Sequence, residues 1–90
     1  MSRCARGRIV RLLREMISTL RSRLPAQDIL TAEELLEHGE WGLAFDVLCT
    51  QAYEYEIEIS QELYSTASQL ADAMQLDPNE WSFATKLVRR

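Results

Sequence analysis

Apolar residues recur at intervals of three and four along most of this chain, and that spacing constrains the fold more than any other feature. In residues 5–23, Ile9, Leu13, Met16, Ile17 and Leu20, followed by Leu24, fall on one side of a helix turning about 100° per residue. Arg3, Arg8, Arg11, Arg14 and Arg21 occupy an arc of roughly 140° on the other side. Leu24-Pro25 should end this helix, because the residue before proline is driven out of helical conformation.

Three later helix starts share one grammar. Thr31 is expected to cap "TAEELLEHG", with Glu34 closing a capping box and Leu30 and Leu35 placed as a hydrophobic staple. Ser60 is expected to cap "SQELYSTASQLADAMQL", which carries Leu63, Ala67, Leu70, Ala71 and Met74 on one face. Asp77 is expected to cap "DPNEWSFATKLV", with Pro78 at the first helical position and Leu76 and Trp81 as the staple. Gly39 supplies a left-handed residue after the second helix, and Glu40 opens a third with Trp41, Phe45, Leu48 and Ala52 as its stripe. The expectation is all-α: one domain over residues 1–90, a compact bundle of about five helices, two of them short.

"AYEYEIEIS", residues 52–60, breaks the pattern. Tyr53, Tyr55, Ile57 and Ile59 alternate with Glu54, Glu56 and Glu58, the period of an extended segment with one dry and one wet face. A lone strand has nothing to pair with in a helical bundle. Residues 53–59 therefore read as an extended connector, its Tyr and Ile side chains on the bundle and its glutamates in water. The alternative is that the third helix continues to about Tyr55, leaving only Glu56 to Ile59 extended.

Charge is strongly divided. Residues 1–24 carry seven arginines and one acid, whereas residues 25–85 carry thirteen acids and neither lysine nor arginine. Lys86, Arg89 and Arg90 bring the whole to −4. A long acidic span attracts a cationic partner and repels nucleic acid. The arginine face of the first helix suggests either internal neutralisation of that span or contact with phosphates. No apolar run has the length of a membrane span, and arginines interrupt what would be the apolar core of a signal peptide. Cys4 and Cys49 lie far apart with no CxxC, which fits neither a disulfide framework nor a zinc site and points to a reducing cytoplasm.

Catalytic patterns are missing. His38 is the one histidine, and its place before Gly39 suits capping of helix carbonyls. No serine or threonine sits in a nucleophile elbow, and Gly7, Gly39 and Gly42 make no phosphate loop. Glu54, Glu56 and Glu58 would stand about 6.6 Å apart at alternate positions of an extended chain, close enough for paired-acid chemistry, but with no cleft to raise a pKa. A calcium loop would need Asp, Asn and a glycine turn that they lack. The expectation is no enzyme, no metal and no cofactor. Candidate partner-binding residues are Glu54, Glu56, Glu58, Tyr53 and Tyr55, with Glu37, Glu40 and Asp46 secondary.

The stretch "ELLEHGEWGLAFDVLCTQAYEYEIEIS" resembles the MafI family of bacterial immunity proteins, in its "HGE" helix end, its "WGLAFDVLC" helix and its "YEYEIEIS" connector. The likeness runs from Glu34 to the C-terminal "DPNEWSFATKLV". It implies a non-enzymatic, cytoplasmic protein that binds the C-terminal domain of a polymorphic toxin, in contact-dependent inhibition systems often a nuclease with a basic cleft. Such a protein would be a monomer or weak dimer when free and would bind neither nucleic acid nor membrane. A small nucleic-acid-binding regulator using the arginine face is the rival expectation.

Overall fold

The computed structural model describes residues 3–58 and 60–76, with side chains from Arg6 onward. They form four helices: α1 (Arg3–Leu20), α2 (Ala26–Glu37), α3 (Trp41–Glu54) and α4 (Gln61–Ala73). No strand occurs among the described residues. The helix expected after Asp77, with Trp81 in its staple, lies outside them.

The stripe of α1 is buried as its spacing requires: Ile9, Leu12, Leu13, Met16, Ile17 and Leu20 all lie in the core. Beyond Leu20 the chain tightens into a turn, in which the amides of Arg23 and Leu24 both donate to the Leu20 carbonyl, each at 2.9 Å. Leu24 is buried and Pro25 then redirects the chain.

The start of α2 differs from the expectation. The helix begins at Ala26, with Pro25 in the capping position, and Thr31 sits inside it. Pro25 accepts from the amides of Asp28 and Ile29 at 3.0 and 3.3 Å, and Asp28 places a carboxylate in the positive first turn. The Thr31 hydroxyl donates to the Gln27 carbonyl at 2.9 Å, the internal alternative to capping. The additional residues ahead of Thr31 bury Ile29, whereas Leu30, the supposed staple, is exposed. Burial of that face outweighs the capping signature, and α2 is twelve residues rather than a short helix.

Three helices end in the same hydrogen-bond pattern. After α2, Gly39 has φ 74° and its amide donates to Leu36, while Glu40 donates to Leu35. After α3, Glu56 has φ 51°; Glu56 donates to Tyr53 and Ile57 to Ala52. After α4, Gln75 has φ 57°; Gln75 donates to Asp72 and Leu76 to Ala71. Each is a Schellman motif, which satisfies carbonyls that a helix end leaves open. Only the first uses the glycine that a left-handed residue favours.

The second motif corrects the extended connector. Helical conformation persists through Glu54, and the short non-helical link begins with Tyr55 and Glu56. This matches the alternative boundary. Of the alternating side chains described, only Ile57 enters the core, at 6% exposure, where it follows Ala52 in the motif's apolar contact. Tyr53 and Tyr55 are 43% and 53% exposed instead of lying in the core. With no partner strand available, continued helix hydrogen bonding prevails over a period-2 pattern seven residues long.

Joined by the turn at 38–40, α2 packs chiefly on α3, and α1 packs chiefly on α4 while also touching α2 and α3. The shared core centres on Ile9, Leu13, Leu20, Phe45, Leu48 and Leu70. Buried Ala32, Ala44, Ala52, Ala67 and Ala71 let helices approach closely. Among the described residues no polar or charged side chain is buried. Every described charge is consequently carried at the surface, where a partner meets it.

Candidate partner-binding surface

Sixty-one residues without a basic side chain have a specific consequence at helix ends. None of the three helices within that span, α2, α3 and α4, has a basic residue in its last turn. Instead α2 closes on Glu37 and α3 on Glu54, with Glu56 two residues beyond. A helix C-terminus carries partial negative charge, and each carboxylate placed there costs about 0.3–1 kcal/mol when exposed at low salt.

All eight candidate residues are exposed. They are not gathered into one cluster. Tyr53, Glu54, Tyr55, Glu56 and Glu58 lie at the C-terminal end of α3. Glu37 and Glu40 flank the turn that enters α3, about 21 Å away along a fourteen-residue helix. Asp46 lies between, on the outward side of α3 that also holds Leu43 and Thr50. Because Glu54 is helical, Glu56 left-handed and Glu58 beyond both, the three glutamates do not form the evenly spaced row that a strand would give.

Leu43 is the surface residue that spacing alone did not single out. It is 54% exposed, and with Tyr53 and Tyr55 it accounts for three of the four large exposed hydrophobics described. The available signal was its position opposite the Phe45, Leu48 and Ala52 stripe. Aromatic and aliphatic side chains set among acids give a partner apolar area as well as charge.

The arginines divide into two groups. Arg21 pairs with Glu33 of α2 at 2.8 Å, the Arg8 guanidinium donates to Gln69 of α4 at 3.1 Å, and Arg6 stands over the Trp41 ring of α3 at 5.6 Å. Arg8 and Arg6 tie α1 to α4 and α3, and Arg21, just beyond its end, ties the following turn to α2. Trp41 is half-buried beneath its arginine instead of deep in the core. Arg11 and Arg14 are exposed and form no ion pair with any described residue, whereas Arg21–Glu33 neutralises one acid of the span directly.

His38 caps α2 as expected: its Nδ1 lies 2.7 Å from the Glu34 carbonyl, so the nitrogen donates and that tautomer is fixed. Cys49 is buried, and loss of solvent, with a smaller contribution from the Asp46 carboxylate, pushes its thiol up to about 12. It is inert as a nucleophile at neutral pH. Among the described residues, no three of the His, Cys, Asp and Glu side chains converge as a metal-binding group, and no helix is long and apolar enough to cross a membrane. No protein-family model, curated protein or solved structure matches the chain.

Proposed function

We propose that this chain is a non-enzymatic immunity protein that binds and neutralises a cognate bacterial toxin domain bearing a basic surface, most simply a nuclease, in the cytoplasm of the producer. The observation that carries the proposal is the set of carboxylates at the C-terminal ends of α2 and α3 with no basic residue in either last turn. They weaken the free fold, and a cationic partner would relieve them. The resemblance of residues 34–60 to MafI immunity proteins supports the same assignment. Exposed Tyr53, Tyr55 and Leu43 would supply the apolar contacts that hold the partner after electrostatic capture.

Inhibition would be by occlusion, with the acidic surface standing where a nucleic-acid backbone would lie, or on an adjoining exosite. The experiment is association kinetics with the C-terminal domain of a large secreted toxin, where one is encoded beside this chain. Capture should slow steeply as salt rises, and joint charge reversal at Glu54, Glu56 and Glu58 should slow it about tenfold or more. His38→Ala should bind normally. Salt-independent capture, or capture unaffected by the triple reversal, would remove this function.

A further inference from the structure

Arg11 and Arg14 form, with Arg8, a ridge along α1 whose charge the fold does not consume. Successive members are three residues apart, about 4.5 Å along the axis, and all three are exposed. Arg8 donates to a neutral amide and keeps its full charge, while Arg11 and Arg14 form no ion pair with any described residue. Glu15 is the one acid of α1, and it lines the groove between α1 and α4 with Glu62, at the margin of the ridge. The outward side of α3 presents the complement: Asp46 and Glu54 are exposed, form no ion pair with any described residue and stand about 12 Å apart along the axis, with no cation on that helix.

We infer that the arginine ridge of α1 docks on the acidic outer side of α3 of a second copy of this chain. The two complementary surfaces are both present on one molecule. Charge favours this occupant over a polyanion. The domain is 19 Å across its shortest dimension, little more than two Debye lengths at physiological salt, so nucleic acid at the ridge would feel the acidic remainder of the chain. A second copy brings arginines as well as acids and can align opposite charges on both sides of the contact. The association is weak and salt-sensitive because every participating charge is exposed. It would also cover the acidic side of α3 until a more basic partner displaces the copy. It does not depend on the function proposed above, because its test contains this protein alone.

The test is sedimentation equilibrium of the full chain between about 0.02 M and about 0.3 M salt, over which the Debye length shrinks from about 20 Å to about 6 Å. Self-association should be detectable at the lower salt and weaken about tenfold or more at the higher. R11E/R14E and D46R/E54R should each remain monomeric throughout, with unchanged helical circular dichroism. An equimolar mixture of the two should associate as the unaltered protein does, since each variant then offers what the other lacks. A protein monomeric at low salt, association that survives R11E/R14E, or failure of the mixture to restore it would overturn the inference. So would retention of single-stranded RNA by a monomeric protein in a manner abolished by R11E/R14E, which would assign the ridge to a polyanion.

Discussion

Glu56→Gly should make this protein more stable. Glu56 holds φ 51°, where a β-carbon crowds the backbone at a cost of about 1–2 kcal/mol. Its carboxylate also stands just past the C-terminus of α3, adding about 0.3–1 kcal/mol of repulsion from the helix dipole. Glycine removes both and increases the unfolded chain's freedom, which offsets roughly 0.5–1 kcal/mol. The net gain is about 1 kcal/mol, a rise in Tm of about 4–8 °C for a domain of this size. Urea denaturation should show a higher midpoint at constant m value. Glu56→Gln, which keeps the β-carbon, should recover only the electrostatic part, and that part should vanish in high salt. If Glu56→Gly instead lost about 1 kcal/mol, as a glycine within a helix does, the left-handed termination of α3 would be refuted. The stabilised variant should capture a basic partner more slowly, since the removed charge is one of those proposed to attract it.

Other outcomes follow from the same structure. Gly39→Ala should cost about 1–2 kcal/mol in urea denaturation, because the residue has φ 74° although a β-carbon there would meet no neighbour. Ser60→Ala should cost about 1 kcal/mol by removing the side-chain acceptor 3.1 Å from the Leu63 amide. Leu48→Ala, at a fully buried position on α3, should cost about 2–5 kcal/mol, readable as a lower denaturation midpoint. Burial of Cys49 makes the folded state hold the thiol proton more tightly than the unfolded state. Its contribution should therefore be complete below pH 9.0 and be lost as pH rises toward about 12. In a Cys4→Ser background, thiol labelling at neutral pH should proceed only as fast as the fold opens, and labelling at the rate of a free thiol would contradict that burial.

Local chemistry was legible wherever it concerned neighbours along the chain. The Ser60 cap, Gly39 and the His38 ring at the end of α2 stand where their residue types required, whereas α1 ends at Leu20, ahead of the stop expected at Leu24-Pro25. Thr31 misled because a capping box describes what a threonine can do, not which residue the core needs; burial of Ile29 carries the helix back ahead of it. The Tyr–Glu alternation misled for a related reason. A period of two carries meaning only beside another strand, and here the competing claim was the helical register of Phe45, Leu48 and Ala52. Tyr53 and Tyr55 were expected on the bundle, but exposure of the six acidic candidates was legible from charge. Their division between the two ends of α3 was not, because it follows from how far the helix runs.

By itself, the sequence determined helices as the building blocks, the apolar face of each, and a charge distribution that leaves the ends of α2, α3 and α4 without cations. These are properties of residues within a few positions of one another, fixed by backbone sterics and side-chain chemistry. Only tertiary structure decided where α2 begins and α3 ends, which three arginines are tied to neighbouring helices, and which acids remain unpaired. Those outcomes depend on burial shared between distant segments, and the free energy of closing a common core exceeds the preference of any single cap or pattern.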